Sequence, residues 1–177
     1  MAAYLLLLVA ALSRLLPHAG WMNFTAVTGA LLYFGARRPW REMLAPLGVL
    51  MATDFVLTSF VYHYPFHWLA YVPVWAWALG AMALGRGLLK TKTTFWRVAA
   101  GVVLGPTSFW IISNYAVWAG SDMYPRTWAG LVECYSAAIL FYRNDLAATT
   151  LVCGLAFGVP ILVSRMNAAR ALEQPAK

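Results

Sequence analysis

Residues 2–25 read AAYLLLLVAALSRLLPHAGWMNFT, and this stretch decides the class of fold. It begins with an apolar run typical of a membrane helix, which needs about 20 residues to cross the hydrocarbon core. The run meets a charge at Arg14, and Pro17 then ends the helix before a short polar and aromatic connection. We therefore interpret the stretch as a first membrane helix and its exit loop, in which Arg14 needs a partner.

The composition extends this interpretation to the whole chain. Of 177 residues, 62% are hydrophobic and 11% are charged, with a mean hydropathy of +0.67, whereas soluble domains contain about 25% charged residues. These values predict a single integral membrane domain over residues 1–177, folded as an all-α polytopic helix bundle. The net charge of +7 comes from basic residues in short loops between apolar segments, so it indicates membrane topology and not a nucleic-acid partner.

A cleaved secretory signal peptide is the alternative interpretation of the N-terminus. Such a peptide carries positive charge before its apolar core. Here no Lys or Arg precedes Leu5, and Arg14 interrupts the core. We therefore expect a retained first helix.

Two of the apolar runs are too short to cross a membrane unaided, because a span needs at least about 17 residues. We expect the run at 24–36 to tilt or to pack against neighbouring helices. We expect the run at 127–142 to be a short or half-helix, shielded at membrane depth by protein or by a water-filled cavity. The complete set of runs lies at about 2–16, 24–36, 43–61, 68–85, 97–118, 127–142 and 145–164.

Basic residues predict the orientation of the bundle. They follow the second, fourth and last runs, whereas the connections HAGWMNF and YHYPFHW contain no Lys or Arg. Because positive loops stay in the cytoplasm, both termini are predicted to be cytoplasmic, in a multi-pass membrane protein with about six transmembrane helices. If 127–142 did cross, the basic tail would lie outside instead. The basic groups are Arg37, Arg38 and Arg41; Arg86, Lys90, Lys92 and Arg97; and Arg165, Arg170 and Lys177.

The predicted outer connections collect polar and aromatic side chains. Flat rings with a few hydrogen-bonding groups are typical of a pocket for a small conjugated molecule. Polar and aromatic residues also gather at membrane surfaces for structural reasons alone. In the pocket interpretation, the residues that would stack on the ligand are Trp21, Trp68, Trp118 and Tyr124, and those that would hydrogen-bond to it are His18, Asn23, Asn114 and Asn144, with His67 beside Trp68.

Two further candidate residues are charged and lie deeper. Arg14 is about one helical turn before Pro17, roughly 6 Å below the outer end of its helix, and Asp54 lies roughly 12 Å below Tyr62. An unpaired charge in lipid costs several kcal/mol, so each side chain should face the protein interior and find a partner. We expect Arg14 to pair with Asp54, either as the floor of the pocket or as a structural strut.

The sequence contains few motifs that indicate catalysis or metal binding. His63 and His67 have the i, i+4 spacing of zinc-binding helices, but Pro65 stands between them and no Glu follows His63. No serine lies in a GxSxG elbow, and Glu133 with Asp145 offers only an acid–base pair of unknown geometry. We expect a protein without catalytic residues, metal or cofactor. A membrane-embedded metal-dependent enzyme is the weaker alternative.

Several blocks of the sequence resemble an uncharacterised family of bacterial membrane transport proteins, over nearly the whole chain. These blocks are SRLLPHAGWMNFTAVTGALLYFGA, MATDF, SNYAVW and MYPRTWAGLVECYSAAILFYRN. That family is similar to the substrate-binding S components of energy-coupling-factor (ECF) transporters, and AAILFYRNDL resembles the segment that opens the last helix of several S components. The positions that match family blocks are Arg14, His18, Asn23, Asp54, Asn114, Tyr124, Cys134 and Asn144.

The resemblance implies a membrane substrate-binding protein for the uptake of a small, vitamin-like or heteroaromatic micronutrient. It implies a six-helix protein in the lipid bilayer, working either alone or with an ECF-type energising module, which consists of a transmembrane coupling protein and ATPases, or with other membrane subunits. Ala26 and Ala30 have the small-residue spacing that close helix docking uses. A non-catalytic accessory subunit of a larger membrane complex is the alternative.

Overall fold

The fold is a bundle of helices, as the composition predicts. The computed structural model describes residues 1–16 and 21–173, with side chains through residue 167, and the regular elements in these residues are all helices. Eight α-helices are present there: α1 (Ala2–Leu15), α2 (Val27–Arg37), α3 (Leu44–Val56), α4 (Trp68–Leu89), α5 (Phe95–Gly120), α6 (Trp128–Ala137), α7 (Ile139–Cys153) and α8 (Val159–Glu173).

Short irregular helices extend two of these elements. A 3₁₀ turn, Trp40–Glu42, precedes α3, and a π-helical turn, Leu57–Val61, follows it. A second π-helical turn, Gly154–Gly158, joins α7 to α8 without a break. Single π turns within α-helices are frequent at functional sites, and the first of them borders the cavity described below.

Four helical stretches in the described part of the chain are long and apolar enough to cross a membrane. They are Trp40–Val61, Trp68–Leu89, Phe95–Gly120 and Ile139–Asn167. At a rise of about 1.5 Å per residue, each reaches the thickness of about 30 Å of a hydrocarbon core. Together they indicate a membrane protein.

The short helix α2 lies at the centre of the bundle. Eight of its 11 residues are buried, and it packs against α1, α4, α5 and α7. Its length of about 16 Å is insufficient for a lipid-exposed span, and the surrounding helices supply the apolar environment that lipid would otherwise provide. The run at 24–36 therefore packs against its neighbours, one of the two arrangements that its length predicts.

Two glycines allow α2 and α4 to approach at backbone distance. A Cβ atom placed on Gly35 would lie 1.9 Å from the carbonyl oxygen of Met82, and one placed on Gly85 would lie 2.1 Å from that of Leu32. Only a residue without a side chain fits at either position. Close contact through small residues is how membrane helices associate, because lipid removes the hydrophobic driving force between them.

The small-residue pair of α2 packs inside the protein. Ala26 and Ala30 are 7% and 2% exposed and form a buried cluster with Ala10 of α1. Their spacing does indicate close helix packing, but the partner helix belongs to the same chain. The strip is therefore covered by α1 and is not an exposed surface.

The run at 127–142 divides between two helices. Helix α6 contains ten residues and spans about 15 Å, half of a hydrocarbon core, so it is the short helix that the sequence predicts. The chain bends at Ala138, and α7 begins at Ile139. The last long helix therefore begins earlier than the expected residue 145.

The two ends of the bundle differ in chemistry. We call the end that holds connections 38–43 and 90–94 the basic end, and the end that holds 21–26, 62–67 and 121–127 the aromatic end. At the basic end, Arg86 donates to the carbonyl of Arg38 at 3.1 Å and Arg97 to that of Leu88 at 3.0 Å. Basic residues therefore donate to the carbonyls at the ends of α2 and α4, where the helix dipole favours positive charge.

Candidate functional site

Arg14 and Asp54 form a buried ion pair near the aromatic end. Arg14 lies in the last turn of α1, and its guanidinium donates to Oδ1 of Asp54 on α3. Oδ2 of Asp54 accepts a hydrogen bond from the indole Nε1 of Trp75 on α4 at 2.8 Å. The side chains of Arg14 and Asp54 are 19% and 4% exposed. Both oxygens of the carboxylate are therefore engaged, and three helices are joined at one point.

A stack of aromatic rings continues from this ion pair. Tyr71 and Trp75, one turn apart on α4, stack with 5.9 Å between ring centroids, and Phe66 stacks on Tyr71 at 5.0 Å. The hydroxyl of Tyr71 is hydrogen-bonded to that of Thr58 in the π turn after α3. The stack thus holds the Trp75 indole against Asp54 and places the Tyr71 hydroxyl beside that of Thr58.

A cavity of about 560 Å³ lies against the ion pair and this stack. Arg14 and Asp54 both line it, together with apolar residues of α1, the π turn and Phe141 of α7. Its other polar lining residues are Asn23, Thr25, Thr58, Tyr62 and Tyr71. A cavity of this volume has the size of a small-molecule site. Its wall combines aromatic surface with a small number of fixed polar groups.

A smaller cavity of about 100 Å³ adjoins the larger one and shares Arg14, Asn23 and Thr25 with it. It is also lined by Thr28 of α2 and Asp145 of α7. The remaining lining is mostly apolar and includes the rings of Trp77 and Phe109, which pack with 4.6 Å between centroids. The two cavities together reach from the aromatic end towards the central helix.

Asp145 is a buried acid in the lining of the smaller cavity. It is 4% exposed and accepts hydrogen bonds from the hydroxyls of Thr28 at 3.1 Å and Thr149 at 3.2 Å. The ion pairs among the described residues are Arg14–Asp54 and Arg38–Glu42, so neither includes Asp145. Two neutral donors thus hold a carboxyl group in the interior of an apolar bundle.

The connection before α2 is held in a fixed shape at the cavity. Asn23 has a positive φ of 62°, and the amide of Asn144 on α7 donates to the carbonyl of Met22 at 2.8 Å. Ser13 of α1 accepts from the backbone N–H of Ala26 at 3.0 Å. Contacts with two helices therefore hold this connection where Asn23 and Thr25 face both cavities.

Comparison with protein families matches residues 1–172 to DUF6580, a family of unknown function. The chain belongs to this family. Searches of the curated proteins and of the solved structures found no match. Membership in DUF6580 thus places nearly the whole chain in one family without assigning an activity to the cavities.

The predicted site residues of this DUF6580 chain fall into three groups. Arg14, Asn23 and Asp54 line the larger cavity. Asn144 does not line it but holds its wall through Met22. His18 lies outside the described residues. The structure therefore brings the two predicted charges and one predicted amide to the same cavity, and their role in binding stays a prediction.

A second group holds the connection between α5 and α6. The indole of Trp118 donates to the carbonyl of Pro125 at 2.9 Å, and the amide of Asn114 donates to the carbonyl of Trp110 at 2.7 Å. The Cys134 thiol contacts the Asn114 carbonyl at 3.5 Å, and burial raises the pKa of this thiol, so it is protonated and donates. Tyr124 lies half-buried in the same connection. These contacts indicate a structural role for the family block SNYAVW.

A third group is exposed at the aromatic end. Trp21 and Trp68 are 60% and 58% exposed, and His67 precedes the first residue of α4. Trp21 packs its ring edge-to-face on Phe24 with 5.2 Å between centroids. None of the three is among the described residues that line the two cavities. Interfacial positions of this kind are typical of membrane aromatic belts.

Sequence reasoning did not select several of the lining residues. Tyr71 lines the larger cavity, and the i, i+4 spacing of Tyr71 and Trp75 in WLAYVPVWAWALG predicts that both rings lie on one face of a helix. Asp145, interpreted from the sequence only as an acid–base partner of Glu133, stands at the start of the apolar run 145–164. An acid inside a membrane-spanning segment is itself a functional signal. Glu133 is exposed on α6.

Metal chemistry receives no support from the described residues. Among them, no three His, Cys, Asp or Glu side chains lie close enough together to hold a metal ion. His63 is exposed, and it lies outside a helix with a positive φ of 57°, so it does not share a helical face with His67. The i, i+4 spacing of these histidines is therefore not the spacing of a zinc helix here.

Proposed function

We propose that the protein captures a small molecule in the two adjoining cavities and carries it across a bacterial cytoplasmic membrane, in the manner of a transporter S component. One observation supports this most directly: a buried ion pair and a fixed aromatic ring face a cavity of about 560 Å³. Ligand sites are typically concave, largely apolar and equipped with a few oriented polar groups.

The proposed topology has six crossings: α1, α2, α3 with its π turn, α4, α5, and α7 continued through α8. Helix α6 lies at the aromatic end and does not cross. The basic connections and both termini are cytoplasmic because positive loops are retained there, so the aromatic end faces outward. A ligand would thus enter from outside, between the 21–26 connection and Tyr62.

The proposed ligand is a small, partly conjugated, vitamin-like molecule. Tyr62, Tyr71 and Phe141 supply aromatic surface in the larger cavity, against which a flat ring packs well. Asn23, Thr25 and Thr58 supply donors and acceptors for its edge. Rocking of the bundle, as the S-component likeness implies, would then carry the ligand inward.

An energising partner would need a docking surface on the outside of the bundle. The Ala26 and Ala30 strip is buried in the protein, so an ECF-type module or another membrane subunit would need a different surface. A solitary transporter requires no such surface. Purification under mild detergent separates these arrangements, since a module would co-purify in fixed stoichiometry.

The first test identifies the ligand without assuming it. The protein is purified without added micronutrients, denatured, and the released small molecules are analysed by mass spectrometry. We expect one heteroaromatic compound enriched over a control preparation of the Leu57→Trp variant. Leu57 lines the larger cavity, and the indole would obstruct part of it without removing a side-chain hydrogen bond.

A matched variant controls for the added bulk. Phe60 is in the same π turn, is 65% exposed and does not belong to the described cavity lining, so Phe60→Trp should retain the ligand. Proteoliposomes that contain Phe60→Trp should take up the identified compound as the unchanged protein does, and those that contain Leu57→Trp should take up less. If the compound is equally abundant in both variants, or if nothing is enriched, capture in this cavity is wrong.

A further inference from the structure

The charges around the two cavities do not balance. Arg14, Asp54 and Asp145 are the described charged residues that line them, which gives one guanidinium for two carboxyl groups. Arg14 is committed to Asp54, whose second oxygen is taken by Trp75. Within the described part of the chain, the side-chain partners of Asp145 are the two threonine hydroxyls. The uncompensated group is therefore an acid at the inner cavity.

A buried carboxylate without a positive partner is costly, and a cation that enters the cavity removes that cost. The groups that face Asp145 are Thr28 from α2 and Thr149 from its own helix, with Arg14 of α1 across the same cavity. The first two are neutral. The positive charge of Arg14 is offset by Asp54, so it opposes the approach of a second cation only weakly.

The apolar part of the smaller cavity also suits a cation. Trp77 and Phe109 line it, and the electron-rich faces of aromatic rings attract positively charged nitrogen. A volume of about 100 Å³ accommodates a small charged group or one edge of a ring, and the adjoining cavity of about 560 Å³ takes the remainder. The two cavities would therefore hold different parts of one ligand, a charged group in the smaller cavity and a larger flat ring in the other.

We propose that the transported molecule is a cation, with a positively charged nitrogen that pairs with Asp145 in the smaller cavity and a ring that packs against Tyr71 in the larger one. This inference rests on the proposed function and specifies its substrate class. The alternative ligand is an anion, which would bind to the remaining N–H groups of Arg14. The test below distinguishes the two charges.

Three probes that share one ring test the charge directly: 1-methylnicotinamide, nicotinamide and nicotinate, which are cationic, neutral and anionic at neutral pH. Binding to the protein in detergent is measured by calorimetry and by quenching of tryptophan fluorescence. We expect the cation to bind about tenfold or more tightly than the neutral amide, a difference of one charged contact. Tightest binding of nicotinate, or no binding of the cation, would overturn the inference.

The matched variants are Asp145→Asn and Asp122→Asn. Asp122 is exposed in the connection between α5 and α6, so its amide variant should behave as the unchanged protein. Asp145→Asn should lose the preference for the cation and keep the affinity for nicotinamide. If the preference survives in Asp145→Asn, the assignment to this acid is wrong.

A measurement on the unchanged protein covers the case in which Asp145→Asn does not fold. Dicyclohexylcarbodiimide modifies acids in apolar surroundings, and peptide mass spectrometry locates the adduct. 1-Methylnicotinamide should protect Asp145 from modification, whereas nicotinate should not. Equal protection by both probes would contradict the cation pairing. The proposed function is judged separately, because the enrichment test with Leu57→Trp does not depend on the charge of the ligand.

Discussion

The guanidinium of Arg14 donates to the carboxylate of Asp54, 40 residues later in the chain, and this contact joins the end of α1 to the end of α3. Trp75 adds α4 through the second carboxylate oxygen. Each group removes the desolvation penalty of the other, which is why an apolar helix such as α1 can contain an arginine at all. Arg14 and Asp54 also form part of the wall of a cavity, so one contact is both structural and part of the candidate site.

Removing one member of this pair should destabilise the protein more than removing both. Arg14→Leu leaves the buried carboxylate of Asp54 uncompensated, at an expected cost of about 3–5 kcal/mol. Asp54→Leu leaves the part-buried guanidinium of Arg14 unpaired, at a smaller cost because Arg14 is 19% exposed. The double variant should recover most of that loss, because the leucines together bury no charge. Thermal unfolding in detergent measures all three. Purely additive effects would mean that the two side chains are not coupled.

The glycines between α2 and α4 should tolerate no methyl group. Gly35→Ala and Gly85→Ala place a Cβ about 2 Å from a backbone carbonyl oxygen, so the helices must separate, at about 1–3 kcal/mol or more. Gly80→Ala and Gly87→Ala are controls on α4, where a Cβ meets nothing within 4 Å. They should be neutral or stabilising by up to about 1 kcal/mol. A similar loss of thermal stability in both sets would contradict the close approach.

The backbone at His63 should favour glycine over alanine. His63 has a φ of 57°, a conformation that costs about 1 kcal/mol for a residue with a Cβ and little for glycine. His63→Gly should therefore be more stable than His63→Ala by about that amount in thermal unfolding. Equal stabilities would show that this turn relaxes freely.

Labelling of single cysteines should place the two ends of the bundle on opposite sides of the membrane. Cys134 and Cys153 are both buried, and their replacement by alanine removes the background. In intact bacterial cells, a membrane-impermeant maleimide should label Tyr64→Cys at the aromatic end and spare Lys92→Cys at the basic end. Permeabilisation should expose both positions. Labelling of Lys92→Cys alone before permeabilisation would reverse the proposed orientation.

The partner of Arg14 could be predicted from the sequence because few solutions exist. An apolar chain offers few acids, and a charge in lipid must find an opposite charge nearby, so the sequence alone predicts that Arg14 pairs with Asp54. Trp75 could not be, since its role depends on how α4 is rotated about its axis. Asp145 stands out in the sequence as a charge at the start of the apolar run 145–164. That its described hydrogen-bond partners are two neutral hydroxyls depends on how α2 packs against α7.

The aromatic residues of the predicted pocket could not be placed from the sequence. Trp21, Trp68, Trp118 and Tyr124 were grouped because they share the connections at one end of the bundle. Two residues in connections at the same end lie at a similar depth in the membrane, but their side chains can point in different directions. In the structure these side chains lie at the surface or pack within the α5–α6 connection. Tyr71 reaches the cavity instead, because the π turn after α3 brings Thr58 to its hydroxyl.

By itself, the sequence determined that the chain forms an apolar helical bundle, where its short helices lie, and that Arg14 pairs with Asp54. These features follow from local hydropathy and from the cost of an isolated charge, and both are properties of the residues alone. Only the tertiary structure decided that α2 lies at the centre, that Ala26 and Ala30 face inward, and that Arg14, Asn23 and Asp145 meet at adjoining cavities. These depend on the packing of several helices at once, which no single stretch of sequence encodes.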